Sequence, residues 1–306
     1  MAHLTEHIIT LMDKTGFPEE AKKEVARVEK KLDDNPAFAE KFDKIVHDYM
    51  YPEAEGMHEA IEALDALAPE VEENSYVLQL VFLLNNTEEL LRRYRAKGIS
   101  DDIYWDTMTD IRCKLIECMD CEGVCGIFVT GWYDGFFKET RYAYGRFQYE
   151  WSLFGEDEPY TTKCGLVLEK GMPVVNFHIP SLGIPLTDEV RLDSYKRAYE
   201  QVKDQFNGGP VIFECSSWLL FPKHKEFLPK HLNILKFMDD FEIIRSSEND
   251  EFSNGWRVFG AKSDLPPEQW PTDTALRKAY ADWVLAGNKT GSGYGIIVFD
   301  GEKILR

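Results

Sequence analysis

Residues 173–199 read P-V-V-N-F-H-I-P-S-L-G-I-P-L-T-D-E-V-R-L-D-S-Y-K-R-A-Y. The stretch changes character twice. Pro173 to Ile179 is an apolar, β-branched run too short for a helix, the pattern of a buried strand. Pro180 to Leu186 is broken by proline and glycine. Thr187 is then placed to cap a helix in which Val190, Leu192, Tyr195, Ala198, Tyr199 and Val202 recur at helical spacing. Strand, short loop and helix bring a ligand to the strand's C-terminal end, against the exposed amides of the helix start. His178 stands at that end.

Upstream, residues 1 to about 135 read as helical. Pro18 opens one run of helix formers, and Asn35-Pro36 restarts the chain into a segment striped by Phe38, Phe42, Ile45 and Tyr49. Met57 to Leu67 repeats the pattern and stops at Pro69. Tyr76 to Leu84 is almost wholly apolar and reads as a central helix. Asn86 with Glu89 reads as a capping box for a further helix ending at Gly98, and Ser100 caps the last one. The expected product is an antiparallel bundle with short connections. At Tyr142 the period drops to two. Phe147, Tyr149, Trp151 and Leu153 fall on one face of a strand; Arg146, Gln148, Glu150 and Ser152 fall on the other. Cys164–Glu169 and Val174–Ile179 read as a hairpin through Lys170-Gly171. Asn207-Gly208-Gly209 ends the helix that began at Thr187, and P-V-I-F-E-C-S-S-W-L-L-F follows as another strand. A helix near His231–Phe241, strands at Ile243–Ser246, Trp256–Gly260 and Ile296–Phe299, and a helix at Thr274–Leu285 complete the series. The fold class expected is α+β: a helical domain over residues 1–135, then a mixed-sheet domain over residues 136–306 with one right-handed parallel crossover.

Composition narrows the function. The chain has 306 residues, 44% of them hydrophobic and 13% aromatic, enough for a substantial core. Its net charge is −19, most of it before residue 131. Such a balance argues against nucleic acid, whose phosphates need Lys and Arg, and against an anionic lipid surface. The longest apolar run, Val77–Leu84, is too short to span a bilayer. The N-terminus lacks a cationic region followed by an apolar one, so we expect no signal peptide, a cytoplasmic location, and reduced thiols for the six cysteines.

Several motifs carry two readings. Cys113, Cys118, Cys121 and Cys125 have a metal-like look, but the last three fall at i, i+3 and i+7 on one helix face. Core packing accounts for them, and no metal is expected. Gly291-Ser292-Gly293-Tyr294-Gly295 precedes a strand rather than following one, so it reads as a helix-to-strand connection and not as a dinucleotide loop. Glu150 lies either on a solvent-facing row or under a ligand. His178 is either a strand-end histidine or a general base. Cys215 could pair with His178 as a nucleophile, though both also suit structural positions. The loop Ser181–Leu186 could offer amides to a phosphate, yet Asp188 and Glu189 already occupy the positive helix end.

Four segments together, G-R-F-Q-Y-E at 145–150, F-H-I-P-S-L-G-I-P-L-T at 177–187, C-S-S-W-L-L at 215–220 and L-P-K-H-L-N-I-L-K-F at 228–237, resemble a family of bacterial acyltransferases. Its members join a helical N-terminal (N-acyltransferase-like) domain to a GNAT-like C-terminal domain. The resemblance implies transfer of an acyl group from acyl-CoA, as co-substrate, to an amine or similar small-molecule acceptor. It also implies roles by position. Glu150 or His178 would be the base. Asn176 and Ile179 would line the thioester, and Ser181, Leu182, Gly183, Ile184 and Thr187 the pyrophosphate. Cys215, Ser216, Ser217 and Trp218 would lie on the thiol side. GNAT enzymes carry Arg/Gln-x-x-Gly-x-Gly/Ala in that loop, where this chain has only Gly183, and Pro185 removes an amide donor. A non-catalytic GNAT-like binding protein is therefore the alternative. The acidic helical domain could shape the acceptor site or form a homodimer contact.

Overall fold

Val77 to Leu84 is buried residue by residue, Gln79 included. A helix that is apolar all round has to lie inside a bundle. In the computed structural model, which describes residues 3–51 and 56–306, it does. The chain divides into two compact units, Met1–Tyr142 and Ala143–Arg306. In the first, α5 (Ser75–Ala96) packs against α1 (Glu6–Thr15), α2 (Glu19–Asp34), α3 (Pro36–Met50), α4 (Met57–Glu70) and α6 (Asp101–Glu122). Thr5, Asn35, Asn74 and Ser100 cap four of these helices with their side chains. One expectation fails here. No helix starts at Asn86: α5 runs straight through, and the buried Asn86 amide donates back to the Phe82 carbonyl at 2.8 Å. The expected stop of α4 at Pro69 falls one residue short of its end at Glu70.

Glu29 in the bundle core is an ionisable group at odds with its surroundings. Glu29 of α2 is fully buried and takes one hydrogen bond, from the Asn85 amide at 2.9 Å. Burial pushes its carboxyl from about 4.5 up to about 7, against the smaller opposing effect of Asn85. Below about pH 4.5 both folded and unfolded chains hold this proton. Between there and pH 7 only the folded chain keeps it, so stability falls as pH rises, by about 3 kcal/mol in all. Glu29→Gln is therefore expected to raise the urea midpoint at pH 8 and to leave it nearly unchanged at pH 4.5. An equal effect at both values would refute the assignment.

The second unit is a mixed sheet. Its strands are β1 (Arg141–Tyr144), β2 (Phe147–Leu153), β5 (Pro173–His178), β6 (Val211–Ser217), β7 (Glu242–Asn249), β8 (Thr290–Phe299) and β9 (Ile304–Leu305). They lie in the order β1-β2-β5-β6-β8-β7, with β9 on β8. The alternating run from Tyr142 is thus two strands, folded at Gly145, whose φ of +72° favours glycine. The expected hairpin of residues 164–169 with 174–179 does not form. β4 (Val167–Leu168) pairs instead with β3 (Tyr160–Thr161) in a separate ribbon, and β5 lies antiparallel to β2. Pairing β5 with β2 sets Val175 and Phe177 beside Trp151 and Tyr149, and so builds a continuous apolar face that the short β4 could not.

That face is covered by α7 (Asp188–Val202) and α8 (Asn233–Asp239), with Phe147, Tyr149, Phe177, Tyr195, Phe213 and Phe237 in its core. On the opposite face, Phe154, Leu168, Val174, Ile212, Ile296 and Val298 make a smaller cluster. Residues 256–259 form a helical turn rather than the expected strand. The Thr274-capped helix is α9 (Ala275–Leu285). The glycine-rich segment 291–295 lies inside β8, not in a connection. Its glycines alternate on one face, with the turn at Trp218–Leu220 against Gly293 and β7 backbone against Gly291 and Gly295.

Candidate active site

The parallel pairing of β5 with β6 joins Val175 to Phe213 and Asn176 to Glu214. Past that rung, β5 continues on β2 as far as His178 opposite Gln148. β6 continues on β8 as far as Ser217 opposite Gly293. The two parallel strands therefore part at their C-terminal ends, and the gap opens where Phe177 and His178 face Cys215–Ser217. A break of this kind exposes backbone groups that would otherwise be paired, at the end of the strands where α/β sheets bind ligands.

Strand alternation decides which side chains meet there. Glu150, Asn176 and Glu214 stand in one row across β2, β5 and β6. The Asn176 amide donates to Glu150 Oε1 at 3.2 Å, and His178 Nε2 lies 2.7 Å from the same oxygen. Asn176 Nδ2 is 3.3 Å from His178 Nε2. A carboxylate at Nε2 makes that nitrogen the donor, which leaves the basic lone pair of a neutral imidazole on Nδ1. Both side chains keep about a quarter of their surface exposed, 26% for His178 and 22% for Glu150, so the pair is supported yet reachable. A carboxylate holding one imidazole nitrogen is an arrangement that can orient a histidine for proton transfer.

Cys215 lies on the other face of the sheet. It alternates with Glu214 and packs beside Val211 and Phe213. Burial pushes its thiol far above the ordinary range. It is no partner for His178, and a thiolate nucleophile there has no support. Ser216 is exposed on the His178 face, while the Ser217 hydroxyl is occupied, accepting from the Leu219 amide at 3.2 Å. Trp218 packs on Tyr280, ring centres 5.8 Å apart, and closes the end of β6 as a wall.

The loop after β5 is fastened from behind. The buried Arg146 donates to the carbonyls of Pro180 at 2.8 Å and Ile184 at 3.3 Å. Arg191 donates to Leu186 O at 2.6 Å and binds Asp240 through a second nitrogen, also at 2.6 Å. With these carbonyls held inward, the amides of Gly183 and Ile184 make no hydrogen bond among the described residues. Ser181, Gly183 and Ile184 are exposed, Leu182 and Ile179 half-buried. Thr187 spends its hydroxyl on the Val190 amide, capping α7. These features fit an anionic ligand only in part: two free amides favour it, and Asp188 and Glu189 in the first turn oppose it. A second concavity, between α7 and α8, is lined by Arg191, Tyr195, Lys236 and Asp240, and its central charges are already matched.

Three residues escaped the sequence reading. Arg146 was visible only as a member of a polar row. Glu214 was visible as the lone carboxylate in the apolar run V-I-F-E-C, a signal that could have been used. Tyr294, whose hydroxyl donates to Glu214 Oε2 at 2.6 Å, was hidden among glycines.

A helical bundle followed by a mixed sheet that parts between two parallel strands, with a carboxylate–histidine pair at the opening, defines a GNAT-like protein with an all-helical N-terminal unit. Residues 6–138 match the N-acyltransferase N-terminal domain and residues 142–297 the GNAT-like C-terminal domain. The chain belongs to that two-domain acyltransferase family. It is similar in structure to an acyltransferase crystallised with decanoyl-CoA and teicoplanin, with a TM-score of 0.71 and 19% identity over 96% of this chain and 88% of that one. A mutant acyltransferase with octanoyl-CoA gives 0.72 and 18% over the same shares. An acyltransferase with decanoyl-CoA gives 0.62 and 19% over 95% and 99%. At such identities the likeness establishes the fold. No curated protein matches the chain. No helix among the described residues is long and apolar enough to cross a membrane.

Proposed function

We propose that this chain is an acyl-CoA-dependent N-acyltransferase, with His178 as the general base and Glu150 as its orienting carboxylate. The observation that carries the reading is the 2.7 Å His178–Glu150 contact at the point where β5 and β6 part. The presence of acyl-CoA in the structural neighbours supports the choice of donor.

In this reading the thioester lies along Asn176–Ile179, with the pyrophosphate over the Gly183 and Ile184 amides. The backbone of Cys215–Trp218 flanks the leaving thiol. His178 takes a proton from the acceptor amine through Nδ1. The nitrogen attacks the thioester carbonyl, the C–N bond forms and the C–S bond breaks, and the thiolate leaves and is protonated. Glu150 stabilises the imidazolium that forms. Most of the acceleration comes from holding amine and thioester together, since the chemistry itself needs little covalent help. The single-glycine loop suggests that donor affinity owes more to the pantetheine and acyl portions than to the pyrophosphate.

A thermal-shift titration with acetyl-, octanoyl- and decanoyl-CoA tests the donor. At a hundredfold excess over Kd, binding adds about 2.7 kcal/mol to stability, a readily measured rise in Tm. No rise with any thioester at millimolar concentration overturns the proposal.

A further inference from the structure

We infer that Glu214 selects the acceptor, and that the acceptor is an amine bound in its cationic ammonium form. The inference rests on the acyl-transfer reading above and adds the chemical class of the second substrate. Glu214 is only 7% exposed. Its one hydrogen bond comes from a neutral donor, the Tyr294 hydroxyl at 2.6 Å. Among the described residues no Lys, Arg or His lies within ion-pair distance of it. Comparable carboxylates of the same unit have more support: Asp240 has the Arg191 cation at 2.6 Å, and Glu242, which also has no cation, accepts from two neutral donors, the Lys163 backbone amide at 2.9 Å and the Tyr160 hydroxyl at 3.1 Å. Arg245, whose guanidinium sits 4.7 Å from the Tyr294 ring centre, is engaged by Glu156 at 2.8 Å. A buried carboxylate without a cation is costly to keep.

Position says what the cation is. Glu214 stands opposite Asn176 on the last rung before β5 and β6 part, on the face that carries His178 and Glu150. One strand spacing, about 4.8 Å, separates its backbone from that of Asn176. An amine nitrogen held at His178 would stand in the opening that Glu214 borders. Aliphatic amines are cationic near neutral pH. The carboxylate would gather that form, while Tyr294 holds its other oxygen, and would favour it over alcohols and neutral amines.

The test measures acyl transfer from octanoyl-CoA to hexylamine, glucosamine and spermidine, and to two uncharged acceptors, hexanol and aniline. Wild-type protein should prefer the charged amines, with KM for hexylamine rising with salt. Glu214→Gln should lower the ratio of kcat/KM for hexylamine over aniline about tenfold, through KM rather than kcat. Glu214→Asp should restore part of it. Tyr294→Phe, which removes the donor that holds the carboxylate in position, should move KM the same way by about threefold, and it carries the test if Glu214→Gln misfolds. Acylation of alcohol or aniline as fast as of the charged amines overturns the inference and leaves the acyl-transfer reading intact. So does octanoyl-CoA binding with no transfer to any charged amine, or a fall in kcat at unchanged KM. Failure to bind any acyl-CoA removes the underlying reading instead.

Discussion

His178→Ala is expected to lower kcat for acyl transfer about 10²–10⁴-fold, the range that a positioned general base contributes. Acyl-CoA binding, followed by thermal shift, should change little, because in the proposed mechanism the imidazole acts on the acceptor's proton and not on the donor. Glu150→Gln tests the division of labour. A glutamine carbonyl can still accept from Nε2–H, so the tautomer survives and only the charge that stabilises the imidazolium is lost. The expected fall in kcat is therefore smaller, about tenfold to a hundredfold. If Glu150 were itself the base the order would reverse, with Glu150→Gln the more damaging change. Steady-state rates for the two variants, each shown to bind acyl-CoA, decide between them.

Gly293→Ala is expected to destabilise the second unit by about 3–5 kcal/mol. A Cβ at this position would stand 2.2 Å from the carbonyl oxygen of Leu220 and 2.8 Å from its carbon. These are backbone atoms of the turn that follows β6, so no side-chain rotation relieves the clash. Gly291 and Gly295, two residues to either side, face Ser247 O at 2.2 Å and Glu242 O at 2.9 Å. Gly293 thus lets the Trp218–Leu220 turn lie directly on β8, while Gly291 and Gly295 make room for β7 backbone, and the turn closes the end of the strand that flanks the opening. Gly183→Ala is the contrasting variant. Nothing lies within 4 Å of its missing Cβ, but its φ is +75°, so only the left-handed backbone is penalised, by about 1–2 kcal/mol. Urea unfolding should rank the two in that order. Equal losses would mean that the close approach at Gly293 is not what that glycine is for.

The contrast between these glycines shows how far sequence reading reaches. Gly183 sits between prolines in a loop, and a turn glycine is legible from its neighbours. Gly291, Gly293 and Gly295 read locally as a flexible connection, because glycine weakens a strand. Only the tertiary neighbours explain their place in β8: the turn at Leu220 against Gly293, and β7 backbone against Gly291 and Gly295. The Cys118 and Cys121 spacing was legible as one face of α6, where Cys118 is buried, but Cys125 was misread as part of that face: the helix ends at Glu122 and Gly123 turns the chain away. Asn86 misled because a capping residue and a back-bonding residue in mid-helix look alike until the helix is seen to continue.

At the site itself the sequence determined the local pieces. It determined a strand ending at His178, a loop held between prolines, a helix capped by Thr187, and the alternation that puts Glu150 opposite in sense to Tyr149. Those follow from rotation per residue and from side-chain chemistry within a few positions. Tertiary structure decided which strands became neighbours: β2 beside β5 rather than β4 beside it, and β6 beside β5 for two residues before they diverge. That choice brings Glu150 and His178, 28 positions apart, to 2.7 Å, and sets Glu214 in the same row. Pairing is fixed by which strands bury the larger shared apolar surface, a property of segments distant along the chain. No local pattern holds that information.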